Sequence, residues 1–180
     1  TNPLVALYFA CENDAVDGKL FRFEVQTSDI KYFDSDAVSV VSNIAKRPID
    51  FSIEDLRELD RNEFNFEEEI QYLLHEIKYE KPHFQNVIDS KDIERVFCVK
   101  PMFDNPRIIR QSGAFFLYGI NGDKSQPASL NFSYKVYIIN KAQKRKIRKQ
   151  LEALGIDKST LFPEVEHVAE HIKDKYHLPK

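Results

Sequence analysis

The segment from Asn105 to Ile120 combines side chains that can do chemistry with side chains that belong in a core. Its sequence is NPRIIRQSGAFFLYGI, in which Asn105-Pro106 predicts a turn or a helix start. Arg107 and Arg110 precede Gln111, and an apolar run follows Gly113. Glycine permits a backbone bend or a close approach by another group. Gln111 offers one acceptor and two donors at the point where the pattern predicts that a strand begins. On pattern alone, Gln111 is an amide that satisfies backbone groups at a strand entrance, and a site residue is the alternative.

Other common catalytic and metal-binding patterns are absent from the sequence. It contains no Gly-x-Gly-x-x-Gly, no phosphate-binding loop, no His-Glu-x-x-His and no Gly-x-Ser-x-Gly. His167 and His171 have the i, i+4 spacing of helical metal ligands, but solvated histidines on an exposed helix are favoured. Cys11 and Cys98 are flanked by large apolar residues, so we interpret both as buried, unreactive free thiols. We expect no metal site.

Composition and charge favour a folded domain with two charged segments. The chain has 180 residues, 42% of them apolar, and a net charge of -3, so we expect one domain spanning residues 1–180. The acidic arm (residues 54–80) has ten acidic residues against three basic ones, and the basic segment (residues 141–150) has six basic residues and no acid. Solvated surface is the favoured role of both, and contacts with a protein or with nucleic-acid phosphates are the alternative.

Neither a membrane span nor a secretory signal is evident in the sequence. The longest apolar run is well short of a span, and no signal-peptide pattern opens the chain, so we expect a cytoplasmic protein without a membrane partner. The chain begins at Thr1 without an initiator Met, and Asn2-Pro3 leads at once into an apolar helix. We therefore expect that an amino-terminal part is missing.

The order of predicted elements favours an α+β fold, with a mixed sheet and several packed helices. Asn2 and Pro3 predict the start of a largely buried helix that runs to about Glu12. Further helices are predicted over AVSVVSNIAK, over FEEEIQYLLHEIKYE with Asn65 as its cap, over KAQKRKIRKQLEAL with Asn140 as its cap, and over STLFPEVEHVAEHIKDKYHL. Strands are predicted over KLFRFEVQ, ERVFCVKP, AFFLYGI and FSYKVYIIN. The elements lack the alternation of a parallel α/β sheet.

Two segments resemble motifs of the FRG domain, a bacterial domain named for a Phe-Arg-Gly tripeptide. NPRIIRQSGAFFLYG resembles the motif Asn-Pro-Arg-Ile-x-x-Gln-x-Gly-x-Phe, and TNPLVALYFAC resembles the helix that follows a Leu-Leu-Asp-Trp-Thr segment. LLHEIKYEKPHF, VFCVKP and GIDKSTLFPEVEHVAEHIK are similar to its central and closing segments, so the resemblance covers nearly the whole chain. Family members carry Phe-Arg-Gly and Gln-His-x-Gly-x-Pro-Thr-Arg before the first of these helices. The resemblance therefore implies that half of the site precedes Thr1.

The order of parts in the FRG family resembles that of ADP-ribosyltransferase toxins. The resemblance implies an ADP-ribosyltransferase-like fold that binds NAD as a co-substrate between the first helix and a strand beginning near Gln111. Gln111 falls where those toxins place a catalytic Glu. The residues implied to line the NAD site are Thr1, Asn2, Phe9, Arg107, Gln111 and Phe115.

Two departures qualify what the resemblance implies about activity. A neutral glutamine cannot act as a base or balance an oxocarbenium-like charge as a carboxylate does. The arginine that would hold the NAD diphosphate would come from the segment before Thr1. The expected function is an NAD-dependent ADP-ribosyltransferase-like effector of bacterial toxin or phage-defence systems, with a protein target or inhibitor. The alternatives are a non-catalytic module that binds protein or nucleic acid through the acidic arm and the basic segment, and a fragment that is inactive by itself.

Overall fold

The chain has an α+β fold. The computed structural model describes residues 2–85 and 87–164, which contain eight α-helices and seven β-strands. In chain order the elements are α1 Pro3–Ala10, β1 Gly18–Glu24, β2 Ile30–Tyr32, α2 Asp36–Asn43, α3 Arg61–Phe66, α4 Glu68–Glu80, α5 Ser90–Ile93, β3 Val96–Lys100, α6 Pro106–Gln111, β4 Phe115–Tyr118, β5 Ile120–Asn121, β6 Asp123–Pro127, β7 Ser133–Ile139, α7 Lys141–Ala153 and α8 Lys158–Leu161. The α+β prediction is confirmed.

The strands form three small sheets where one mixed sheet was expected. The described residues also group into two compact units. Unit 1 comprises residues 2–24, 102–114 and 133–164, and unit 2 comprises residues 25–85, 87–101 and 115–132. The interpretation of residues 1–180 as one domain stays a prediction.

Unit 1 contains a two-stranded antiparallel ribbon. Strands β1 and β7 pair from Gly18 opposite Ile139 to Glu24 opposite Ser133. A Cβ atom on Gly18 would lie 2.1 Å from the Ala10 carbonyl oxygen and 3.3 Å from Cε of Lys144. Only glycine therefore allows α1 and α7 to approach this end of the ribbon so closely.

The core of unit 1 is small. Val5, Leu161 and Phe162 are buried together, and Tyr8 and Ile156 pack against them. The prediction that α1 is largely buried is wrong, because Val5 is its only buried residue. Strand β7 is also exposed at every position except Ile139, although its sequence is that of a core strand.

Unit 2 holds the larger core, which surrounds a three-stranded mixed sheet. Strand β2 pairs parallel to β3, and β3 pairs antiparallel to β4. The apolar stripe predicted for α4 is confirmed: Ile70, Leu73, Leu74 and Ile77 are buried. These residues join α2 and β3 in one cluster of buried side chains.

The start of α4 differs from the prediction. Asn65 was expected to cap this helix, but it lies within α3, and Glu67 occupies the cap position. The buried Asn65 amide donates to the carbonyls of Arg61 and Ile88 and accepts from the Ile88 N–H at 2.7 Å. Its polar groups are therefore used to hold a distant segment. Phe66, which was placed on the apolar stripe, is 83% exposed.

The remaining element predictions have mixed outcomes. Asn140 caps α7 as expected, since its Oδ1 accepts from the Ala142 N–H at 2.9 Å. Most of the amphipathic helix expected near the carboxyl terminus, including His167 and His171, lies outside the described residues.

In residues 2–85 and 87–164, none of the helices has both the length and the apolar character needed to cross a bilayer.

Candidate functional site

The segment that carries Gln111 forms a helix rather than a strand entrance. Asn105 caps α6 by accepting from the Arg107 N–H at 2.9 Å, and Pro106 occupies its first turn. The helix ends at Gln111, and Ser112 adopts a left-handed conformation with φ of 50°. The predicted position of Gln111 at the start of a strand is therefore wrong. The Asn-Pro pair starts a helix, and this helix contains the polar half of the motif.

The Gln111 amide contacts the backbone at the end of α8. Its Nε2 donates to the Leu161 carbonyl at 3.2 Å, and Nη1 of Arg110 donates to the Thr160 carbonyl at 3.4 Å. The last carbonyls of a helix have no partner within that helix, so side-chain donors satisfy them. The Gln111 amide thus satisfies a backbone group, as the sequence pattern predicted. That group lies at the end of a helix, however, and not at the start of a strand.

Phe162 joins two more of the candidate residues. Its ring meets the Phe9 ring edge-on, with centroids 5.9 Å apart, and the Arg107 guanidinium lies 4.8 Å from its centre. Nη1 of Arg107 also lies 3.8 Å from Oε1 of Glu164, and 49% of the Arg107 side chain is exposed. Phe9, Arg107 and Gln111 therefore converge on the Leu161–Phe162 dipeptide.

The other three candidate residues are placed differently. Asn2 caps α1, where its Oδ1 accepts from the Leu4 N–H at 3.0 Å. Phe115 begins β4 in unit 2 and is 54% exposed. Thr1 lies outside the described residues. Unit 1 thus brings together Phe9, Arg107 and Gln111, whereas Asn2 is used as the cap at the other end of α1.

Sequence reasoning did not single out Leu161 and Phe162. Asp157 and Thr160 form a capping box, in which the Asp157 carboxylate accepts from the Thr160 N–H at 3.0 Å and Thr160 Oγ1 accepts from the Asp157 N–H. The spacing Asp-x-x-Thr is a recognisable helix start. A helix of only four residues leaves its carbonyls to other partners, and the sequence has no signal that identifies those partners.

The basic segment is only partly available to an external partner. Lys144 is 1% exposed, and its Nζ donates to the Asn13 carbonyl at 2.7 Å. Arg148 forms two hydrogen bonds of 2.7 Å with the Asp14 carboxylate, which hold the pKa of Asp14 at about 2. The expectation that Lys144 is a surface charge is wrong. The exposed cations of the segment are Lys141, Arg145, Lys146 and Lys149.

Several carboxylates of the acidic arm are likewise partnered within unit 2. Glu80 accepts from Lys46 at 2.6 Å and from Asn43 at 3.1 Å, and these hydrogen bonds lower its pKa. Glu69 pairs with Arg47 at 2.7 Å. The arm is therefore in part an internal ion-pair network.

The two cysteines lie in environments that lower thiol reactivity. Cys11 is buried, and burial raises the pKa of its thiol. Cys98 was also expected to be buried, but it is half-buried in β3, where burial again raises its pKa. A raised pKa lowers the thiolate fraction at neutral pH and so lowers reactivity. In the described ranges, no three His, Cys, Asp or Glu side chains are grouped so as to hold a metal ion.

Comparisons of the chain with protein-family models, with curated proteins and with solved structures found no match. The resemblance to the FRG domain therefore rests on the motifs quoted above.

Proposed function

We propose that this chain is an FRG-like domain that acts on NAD as an ADP-ribosyltransferase-like effector of bacterial toxin or phage-defence systems. The observation that supports this proposal is the convergence of Phe9, Arg107 and Gln111 on Leu161 and Phe162. Phe9 and Gln111 come from the two segments with the strongest resemblance, which are about 100 residues apart in the sequence.

Each of the three side chains has a property that suits an NAD site. The exposed guanidinium of Arg107 can add a contact to the NAD diphosphate beside the arginine that the resemblance implies before Thr1. It would prefer that contact to the weak 3.8 Å pairing with Glu164. The Phe9 ring offers an apolar surface to nicotinamide. Nε2 of Gln111 donates a hydrogen bond to the Leu161 carbonyl, whereas its Oε1 accepts none from a described residue. This oxygen can therefore accept a hydrogen bond from a ribose hydroxyl.

The proposed reaction breaks the bond between the ribose C1′ and the nicotinamide nitrogen. Nicotinamide leaves with the bonding electron pair, a nucleophile on the target protein bonds to C1′, and the nucleophile loses its proton. Gln111 can orient the ribose, but it cannot accept that proton. The proton acceptor is therefore a group on the target or in solvent, and transfer should be slower than with a carboxylate at this position.

The test separates binding from transfer. NAD binding is measured by titration calorimetry, and transfer is measured with NAD labelled on the adenylate phosphate, together with release of nicotinamide, in bacterial lysate. We expect Arg107→Ala to weaken NAD binding at least tenfold, because a charge-assisted contact is lost. We expect Gln111→Glu to raise the transfer rate and Gln111→Ala to abolish it.

Arg22→Ala is the matched control, because Arg22 is an exposed arginine of the same unit on β1. It should leave binding and transfer unchanged. Absence of NAD binding, of label transfer and of nicotinamide release in the unmodified full-length protein would refute the proposal. NAD binding without either product would refute the transferase and retain the NAD-binding domain.

The second candidate is a non-catalytic module that binds nucleic acid through unit 1. Its supporting observation is charge: the described residues of unit 1 include 12 Lys and Arg against 8 Asp and Glu, whereas those of unit 2 include 11 against 18. Lys146 and Lys149 are exposed on α7 and can contact phosphates. In fluorescence anisotropy with a labelled oligonucleotide, Lys146→Ala with Lys149→Ala should weaken binding and flatten its salt dependence, and Lys91→Ala in unit 2 should not. Binding that does not respond to salt would count against this candidate.

A further inference from the structure

The β1–β7 ribbon of unit 1 has one face turned to helices and one apolar face turned to solvent. Gly18 meets α1 and α7, so its face, which also holds Leu20 and Tyr137, is the helix-covered one. Side chains alternate along a strand, so the residues between them point away from these helices. This outer face consists of Lys19, Phe21, Phe23, Tyr134, Val136 and Ile138. Phe21 is 48% exposed, Tyr134 57% and Ile138 60%.

The outer edge of β7 is also open. The sheet contains β1 and β7 alone in the part of the chain that the structure describes, and the outward backbone groups of residues 133–139 have no backbone partner there. An isolated two-stranded ribbon is marginal in water, and an unpaired edge is a template for another strand. β7 has the sequence SYKVYII, which is rich in β-formers and contains one charge.

The edge of β1 is better protected than that of β7. It carries Lys19, Arg22 and Glu24, and charges along an edge disfavour pairing with another strand. Its first residue, Gly18, is buried against α1. The less protected edge is therefore that of β7.

We infer that the β7 edge is a self-association surface, on which β7 of a second copy pairs antiparallel to form a four-stranded sheet. The partner is argued from self-complementarity. A two-fold axis at Val136, the middle residue of β7, gives full overlap of the seven residues. It places Lys135 opposite Tyr137 of the second copy and Tyr134 opposite Ile138, so no like charges meet.

Neighbouring registers are less favourable. An axis at Lys135 would set two lysines directly opposite each other, which destabilises a strand pair. An axis at Tyr137 would pair only residues 135–139, because a seven-residue overlap would need Asn140, which caps α7. Registers shifted by one residue would turn the apolar face of one copy to the opposite side of the sheet. Val136 therefore pairs with itself.

The size of the contact sets the expected strength. A seven-residue edge is about 23 Å long, so the contact falls below the roughly 1,200 Å² of a standard stable complex. We expect a reversible dimer that is half-formed at a concentration on the order of 10–100 μM. Sedimentation equilibrium of the full 180-residue chain from about 1 to 300 μM measures it.

The substitution Val136→Lys tests the two-fold axis, because only this residue meets its own copy. We expect the dissociation constant to rise at least about tenfold, since two ammonium groups then face each other. Val136→Glu should behave likewise. An equimolar mixture of the two variants should form a heterodimer at wild-type concentrations, and this recovery shows that each variant is folded. Val16→Lys, at an exposed valine of the same unit, should not change the dimer.

Cross-linking gives an independent readout. Directly opposed residues of antiparallel strands have Cα atoms about 4.5–5.5 Å apart, within the range of a disulfide. Val136→Cys should therefore form a cross-linked dimer on mild oxidation. Ile138→Cys should not, because its copy is about 14 Å away in the same register. A monomer at all concentrations, a wild-type dimer unaffected by Val136→Lys, or preferential cross-linking through residue 138 would each overturn the proposal.

Discussion

At the scale of single residues, Gln111 has a structural role that can be measured apart from any role towards NAD. Its amide donates to the Leu161 carbonyl, which lies at the end of α8 and lacks a helical partner. Gln111→Ala should lower the free energy of unfolding by about 1 kcal/mol, the usual net contribution of a neutral hydrogen bond. Chemical denaturation measures this loss, with Gln150→Ala on the exposed face of α7 as the control. A change within experimental error would show that the hydrogen bond does not contribute to stability.

Asp14 provides the clearest pH dependence in unit 1. Its pKa of about 2 lies below the ordinary value of 3.8, because Arg148 donates two hydrogen bonds to the carboxylate. The folded state therefore holds this proton less tightly than the unfolded state. The stabilisation is present above pH 4 and is lost as the pH falls from about 4 to 2.

Asp14→Asn should accordingly lower the Tm at pH 7, and its difference from the unmodified chain should shrink below pH 4. Thermal unfolding at several pH values measures the difference. Asp104→Asn, at an exposed aspartate of the same unit, is the control and should leave the Tm at pH 7 unchanged. A difference that stays constant down to pH 2 would contradict the assignment of this stabilisation to the Asp14 carboxylate.

At the scale of elements, the packing of α1 on the ribbon depends on one glycine. The Cβ of an alanine at Gly18 would lie 2.1 Å from the Ala10 carbonyl oxygen, so the backbone must shift. Gly18→Ala should cost about 3 kcal/mol of unfolding free energy, at the upper end of the range for overpacking. At Gly113 the nearest atom would be 3.4 Å away, so Gly113→Ala is the matched control and should be almost neutral. Equal effects at both glycines would rule out this close approach.

Local patterns predict the elements better than they predict what the elements contact. Helix α4 could be predicted because its apolar residues recur with a period of 3.6, which is a property of the local sequence alone. These residues are Ile70, Leu73, Leu74 and Ile77. The burial of Lys144 was not predictable, since its acceptor, the Asn13 carbonyl, is 131 residues away. The role of Asn65 was unpredictable for the same reason, because its amide binds the backbone of Ile88 in a distant segment.

The candidate site follows the same division. The motif indicated Arg107 and Gln111, and a helix start was one of the two structures, with a turn, that the Asn-Pro pair predicts. The importance of Leu161 and Phe162 could not have been predicted, because it comes from contacts with α6 and α1, which are about 50 and 150 residues away in the sequence. The exposure of the ribbon could not be predicted either. Apolar residues at alternate positions, such as Phe21 and Phe23, are also the pattern of a strand with one buried face.

At the scale of the whole molecule, the two units differ in the size of their cores. The cluster in unit 2 contains 18 buried residues, whereas that in unit 1 contains Val5, Leu161 and Phe162. Regions with few buried apolar contacts open more readily. Amide hydrogen exchange should therefore be slowest in α4 and β3 and faster in α1 and α6. Mass spectrometry of exchange resolves these segments, and equal protection in α1 and α4 would contradict the expectation.

The split sequence of unit 1 determines when that unit can form during synthesis. Strand β1 finds its partner β7 only after about 115 further residues have been made, and the loop after α1 waits for Lys144 and Arg148. At roughly 5–20 residues per second, this delay is about 10 s. In that interval the apolar side chains of β1 have no native partner strand, whereas most of unit 2 is already complete in sequence. A nascent chain of this protein therefore presents an unpaired β1 strand to the chaperones near the ribosome until β7 has been made.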